Sequence, residues 1–282
     1  LGTIGRTYHV NLVRLYGFCF DATVKALVYE YMEKGTLDRY LFCRSGPLVL
    51  SRRKLLDIAV GTAKGIAYLH EECQQRIIHY DIKPANILLG GGFAPKVADF
   101  GLAKLCDRAA THVSMTGFRG TPGYTAPELF MPVTATHKCD VYSFGILLFE
   151  MVGRRRHFVE AVPESQLQWL PRWVWKRFEE GILEEALSQQ LGAEEEEEGE
   201  GGNEKEQVVR MAKVALWCVQ YLPADRPEVS KVVKMLEGEV EIATPPNPFR
   251  HLSSSEEIGP HGSDQFSETT GGDEITVCTA SL

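Results

Sequence analysis

The stretch from Lys138 to Val152 most limits what this chain can fold into. Val141, Phe144, Gly145, Leu148 and Met151 recur there at helical spacing, and most residues between them are also apolar. A helix with so little polar surface belongs in the middle of a core, with other elements wrapped around it. The wrapping is legible nearby. Ser51 opens a long helix with Leu55, Ile58, Ala59, Thr62, Ala63, Ile66 and Leu69 on one stripe. Trp169 to Phe178 gives an aromatic helix, Val208 to Val219 another, and Glu228 to Leu236 a last one after Asp225-Arg226-Pro227. Strands are expected over Asn11 to Phe20 and Val24 to Tyr31, joined by the turn Asp21-Ala22-Thr23, and over Ile87-Leu88-Leu89 and Lys96-Val97-Ala98. Thr36 reads as the N-cap of a short helix through Leu41. The fold class is therefore α+β.

With 282 residues and 44% hydrophobic content, the chain can bury a sizeable core. Its net charge of -8 opposes non-specific binding to nucleic acid or anionic membrane, because the summed field repels phosphates. Part of that charge sits in the acidic insertion 192–206, where Glu194 to Glu206 has almost no apolar side chain to pack. Residues 242–282, rich in Pro, Ser, Gly, Thr and acids, are expected to form a disordered tail. The seven cysteines are scattered without a Cys-x-x-Cys pair, which fits a reducing compartment. Cys19 and Cys218, inside apolar stretches, read as small buried hydrophobes. No apolar run is long enough to span a membrane, no signal peptide opens the chain, and the first residue is Leu1 instead of Met. The expectation is a soluble piece, processed or cut from something longer.

The chemistry concentrates in His79-Tyr80-Asp81-Ile82-Lys83-Pro84-Ala85-Asn86, just ahead of a short apolar strand, and in Asp99-Phe100-Gly101 after another. A turn held between strands can aim Asp81, Lys83 and Asn86 one way. A carboxylate can accept a hydroxyl proton, an ammonium can neutralise a moving phosphoryl group, and an amide oxygen with a second carboxylate can ligate Mg2+.

These residues, with Thr125-Ala126-Pro127-Glu128 downstream, resemble the catalytic loop, metal-binding Asp-Phe-Gly and segment-closing motif of eukaryotic protein kinases. The resemblance runs from about Leu1 to Leu236. Tyr8-His9-Val10-Asn11-Leu12-Val13-Arg14-Leu15, Ala26-Leu27-Val28-Tyr29-Glu30-Tyr31-Met32 and His79-Tyr80-Asp81 are similar to plant receptor-like kinases, particularly the leaf-rust-resistance and thaumatin-like receptor group. It implies a protein-kinase-like fold, mostly the helical C-terminal lobe: residues 1–30 as a remnant of the N-terminal sheet and residues 31–241 as the C-lobe. It implies Asp81 as base, Lys83 at the γ-phosphate, Asn86 and Asp99 on Mg2+, and Thr121 as part of a serine/threonine-specific pattern. It implies ATP bound with its adenine edge at the backbone of Glu30 and Met32 and its ring over Leu88. Asp140 is expected to anchor the catalytic loop, Glu128 to pair with Arg226, and Ile4, Leu15, His79 and Phe100 to stack as an apolar spine. A protein substrate follows, and for the full-length family member a membrane anchor with the kinase on the cytoplasmic side.

The sequence departs from that pattern twice. Tyr80 stands where most kinases carry an Arg that pairs with a phosphorylated activation loop, so phosphorylation at Ser114 or Thr116 is not expected to act through that pairing. The Gly-rich phosphate loop, the strand Lys and the helix Glu have no counterpart here. Gly2 and Gly5 do not form such a loop, and aligning backward from His9 puts the Glu just before Leu1. Two readings stay open: a serine/threonine kinase domain, or a catalytically impaired kinase-like interaction module. A metal-dependent hydrolase using Asp81 and Asp99 leaves Lys83 and Thr121 unexplained.

Overall fold

The computed structural model describes residues 7–21, 23–42, 49–108, 119–130, 135–158, 169–190 and 201–253. The chain enters through a hairpin, β1 (Leu15–Phe20) and β2 (Lys25–Tyr29), antiparallel with Phe18 opposite Leu27 and Cys19 opposite Ala26. A short strand β3 (Gly35–Thr36) leads to α1 (Asp38–Phe42) and the long helix α2 (Arg52–Ala67), whose end widens into a π-turn over Tyr68–Glu72. Then come β4 (Arg76–Ile78), β5 (Ile87–Leu89), β6 (Pro95–Val97) and β7 (Lys104–Cys106). The rest is helical: α3 (Lys138–Gly153), α4 (Leu170–Glu179), α5 (Leu183–Gln190), α6 (Gly201–Cys218), α7 (Val229–Glu237) and α8 (Arg250–Ser253). Sheets are small: β3-β5-β6 in one, β4 with β7 in another, all antiparallel.

Helix α3 is the hub, as its composition requires. Every residue from Cys139 to Gly153 is buried. Gly145 lets α6 approach closely, since a Cβ there would lie 2.7 Å from Cys218 Cβ and Val219 Cγ1. Ser51 caps α2, its Oγ accepting from Lys54 N at 3.2 Å, and the α2 stripe from Leu55 to Leu69 is buried against α3, α6 and α7. The sheet side joins this core through Val13 N to Val97 O and Val97 N to Asn11 O, both 2.9 Å.

Four expectations are corrected. Thr36 pairs with Leu88 in β3 instead of capping a helix, because Leu37 N is already held by Ile87 O at 2.9 Å and the helix starts only at Asp38. The disordered tail cannot begin at 242. Residues 242–253 lie against α6, with Trp217 Nε1 donating to Ala243 O, Gln220 Nε2 donating to Pro246 O, both at 2.9 Å, and Phe249 buried against Trp169. The acidic insertion also ends early, since Gly201 to Glu206 form the start of α6. Cys19 is exposed on the hairpin strand β1, whereas Cys218 is fully buried. Residues 191–200 and 254–282, Ile4, Ser114 and Thr116 lie outside the described residues.

Candidate active site

β4 ends inside the core, and the chain turns at His79 and Tyr80, both buried, with Tyr80 taking a left-handed φ of 67°. The turn is fixed from α3. Asp140 Oδ2 accepts from His79 N and Oδ1 from Tyr80 N, both at 2.8 Å, and Oδ2 also lies 2.8 Å from His70 Nε2. Burial pushes the Asp140 carboxyl up, but His70, His79 and these amides pull it further the other way, so it stays ionised. The His79 ring lies 5.1 Å from that of Phe100. Its Nε2 sits 2.9 Å from Ala98 O and its Nδ1 accepts from Asp81 N at 3.2 Å. The imidazole is a neutral strut.

Beyond the turn, the expected catalytic residues meet. Asp81 Oδ2 pairs with Lys83 Nζ at 2.8 Å, and Lys83 Nζ donates to Thr121 Oγ1 at 2.8 Å. Thr121 in turn donates its hydroxyl proton to Asp81 Oδ1, closing a triangle. Asn86 Nδ2 donates to Asp81 O at 2.8 Å and to Oδ2 at 2.9 Å, which spends its donors and leaves its carbonyl oxygen as the acceptor. Burial alone raises the Asp81 pKa, yet the hydrogen bonds from Lys83, Thr121 and Asn86 and the Lys83 charge outweigh it and hold the carboxyl below its ordinary value. Thr121 reaches the loop because Gly120, at φ +115°, passes over it: a Cβ there would come within 3.1 Å of Tyr80 O.

Asp99 stands apart from the triangle. It is exposed, in left-handed backbone at φ 61°, with Oδ1 accepting from Gly101 N at 3.2 Å. The β5-β6 register places it beside Asn86, through Ala98 N to Asn86 O at 2.9 Å. Among the described residues no three His, Cys, Asp or Glu side chains gather as a cage. An exposed carboxylate next to a free amide oxygen suits Mg2+, which keeps waters and takes phosphate oxygens as its remaining ligands. Near Asp99, Met32, Val13 and Ala98 form a small apolar cluster with Tyr29 and Leu88, separate from the main core. The Glu30 side chain is bound by Lys96 Nζ at 2.8 Å and by Arg14 N at 2.7 Å, which fixes the chain leading to Met32.

Glu128 and Arg226 join as expected, at 2.6 and 2.8 Å. Sequence reasoning missed His70, which no spacing ties to Asp140. It also missed the buried Glu150, whose carboxylate takes Tyr124 Oη at 2.8 Å and His157 Nδ1 at 2.7 Å beneath the Thr121 segment.

The chain belongs to the protein kinase domain family, which matches residues 2–235. Among plant receptor-like kinases, it is 44% identical over 264 residues to the rust resistance kinase Lr10 of Triticum aestivum, covering 92% of this chain and 40% of that protein. It is 39% identical over 277 residues to the PR5-like receptor kinase of Arabidopsis thaliana, covering 96% of this chain and 40% of the relative. A G-type lectin S-receptor-like serine/threonine-protein kinase of Arabidopsis thaliana is 45% identical over 259 residues, 91% of this chain and 29% of its own length. The chain thus spans about two fifths of the first relatives it matches.

Proposed function

We propose that this chain carries the substrate-binding and metal-binding half of a serine/threonine protein kinase. The observation that carries the reading is the closed triangle of Asp81, Lys83 and Thr121. A substrate hydroxyl entering the triangle displaces the Thr121 hydroxyl from Asp81 and gives its proton to that carboxylate as its oxygen bonds to the γ-phosphorus. The bond from that phosphorus to the bridging oxygen breaks, and ADP leaves with the charge. Lys83 neutralises the equatorial oxygens during transfer, and Thr121 holds Lys83 and the incoming residue in place. Asn86 and Asp99 hold Mg2+, which when bound screens the phosphates of ATP. Glu30 and Met32 offer backbone groups to the adenine edge, and Leu88 lies under its ring. The relatives' names, a receptor kinase and a receptor-like serine/threonine-protein kinase, support serine or threonine as acceptor and a domain on the cytoplasmic side of a longer, membrane-anchored receptor. Among the described residues no helix is long and apolar enough to cross one.

The second reading is an interaction module. It is favoured by the hairpin, where Tyr16, Phe18, Phe20 and Val28 are all more than half exposed. These 282 residues carry no Gly-rich loop or strand Lys for the phosphates. Each charge-assisted hydrogen bond missing in the transition state costs about 1.5 to 3 kcal/mol, roughly ten- to a hundredfold in rate. The chain alone therefore turns over slowly. Transfer of labelled γ-phosphate to serine, threonine and tyrosine peptides tests both readings. Slow, Mg2+-dependent transfer to serine or threonine, lost in Asp81→Asn, supports the kinase. Transfer that survives Asp81→Asn overturns it, and no transfer at any enzyme concentration favours the module.

A further inference from the structure

Three consecutive arginines, Arg154 to Arg156, follow helix α3, and Arg155 and Arg156 form no salt bridge among the described residues. Arg154, at a left-handed φ of 46°, turns the chain and donates from Nη2 to Leu50 O at 2.7 Å. Arg155 Nε and Nη2 are buried with no hydrogen-bond partner among the described residues, and its Nη1 makes a 3.5 Å contact with Arg156 O. Arg156 is exposed, its guanidinium 4.6 Å from the centre of the Phe42 ring on α1. The buried carboxylate of Glu150, on α3, is already taken by Tyr124 and by His157. Asp38 and Arg156 exert opposite electrostatic effects on the Tyr124 phenol. Burying a guanidinium without an anion is costly, and a structure that tolerates it has a place for one.

The position of the pair says which anion. His157, the next residue, packs under Gly123 and stacks edge-on against Tyr124 at 4.8 Å, and Gly123 is two residues from Thr121, which touches Asp81. Through His157, Gly123 and Thr121 the arginines connect to the segment that touches the Asp81 carboxylate.

We propose that Arg155 and Arg156 form a subsite for an acidic side chain of the protein substrate, a few positions from the hydroxyl that accepts phosphate. This rests on the kinase reading. The Phe42 ring steadies the Arg156 guanidinium at 4.6 Å for a carboxylate, and the neighbouring Arg155 adds a second cation. The site makes the enzyme select acidic substrates although the chain itself is acidic.

The test measures binding and transfer separately. Labelled peptides with one serine, carrying Glu or Lys at the third and fourth positions on either side, are titrated into the 282-residue chain by fluorescence anisotropy. The Glu peptide should bind about tenfold or more tightly than the Lys peptide. Arg156→Glu, at an exposed position, should reverse the order, and Arg155→Met should remove most of the preference, with thermal melts confirming that both variants fold. Equal binding of the two peptides, or a preference that survives both substitutions, overturns the proposal. If γ-phosphate transfer is detected without acidic preference, the subsite falls and the kinase reading stands. If acidic preference holds while transfer never appears, the subsite stands as a peptide site and the kinase reading falls.

Discussion

Arg226 and Glu128, 98 positions apart, meet through two side-by-side bonds in a setting where Arg226 is only 1% exposed. Nη1 reaches Oε1 at 2.6 Å and Nη2 reaches Oε2 at 2.8 Å. The remaining donors go to the carbonyls of Gln220, Lys138 and Tyr221, so every N–H of the guanidinium is used. Breaking such a pair leaves one buried charge alone, which costs about 3 to 5 kcal/mol. Arg226→Met and Glu128→Gln should each lower the urea midpoint accordingly. Arg226→Lys should rescue little, because an ammonium cannot reproduce the fork. A loss under about 1 kcal/mol for any of them, set against the range for a broken buried pair, would show that the link is not structural.

The acid limb of catalysis follows from Asp81. Its carboxyl is held below the ordinary value, so the base is available throughout the neutral range and is lost only when the pH falls through the lowered value. Thr121→Val removes one of the hydrogen bonds that offset burial and should move the acid limb of kcat/KM upward. Lys83→Met removes a hydrogen bond and a charge together and should move it further. A pH profile unchanged in both variants would mean that another group sets the limb.

Much of this arrangement is legible in the sequence. Helix α3 declares itself by having no wetted face, Ser51 by standing one turn ahead of Leu55, where an apolar stripe begins, and Asp81, Lys83 and Asn86 by their closeness on a turn. What was hidden depends on contacts across long sequence separations. Nothing local ties His70 to Asp140, or Glu150 to His157 beneath the Thr121 segment. The stretch from Ile242 to Ser253 misled because composition averages over a window, whereas one aromatic decides its fate: Phe249 enters the core and the neighbouring carbonyls find donors on α6.

That strap should matter for stability. Phe249 is 5% exposed and packs its ring 4.8 Å from Trp169 at the start of α4. Phe249→Ala should cost about 3 to 5 kcal/mol, the range for a large core aromatic. Ending the chain at Glu241 should cost at least as much. Equal melting temperatures for the shortened and complete chains would show that the strap is only laid on the surface.

His79 gives the fold a defined pH response. Burial lowers its pKa below the ordinary value of 6.5, against the opposing pull of Asp140 and the bond to Ala98 O. In the unfolded chain the same residue gains a proton near 6.5, while the folded chain resists it. Stability is therefore lost as the pH falls from about 6.5 toward the lowered folded value, at up to about 1.4 kcal/mol per pH unit from this residue. His79→Phe keeps a ring against Phe100 and should flatten the slope of urea midpoint against pH between 7.5 and 5.5. An unchanged slope would assign the effect to other histidines.

Tyr80 supplies the last prediction. It is 3% exposed, its hydroxyl has no hydrogen-bond partner among the described residues, and burial pushes the phenol pKa up. An unsatisfied buried hydroxyl costs about 1 to 3 kcal/mol, so Tyr80→Phe should leave the protein as stable or make it more so, read by urea denaturation. A neutral phenol cannot pair with phosphate as a guanidinium does. Activity should consequently survive Thr116→Ala in the complete protein. If that substitution abolished phosphoryl transfer and Thr116→Asp restored it, a negative charge would be acting on the site, and the cation that receives it would have to lie somewhere other than position 80.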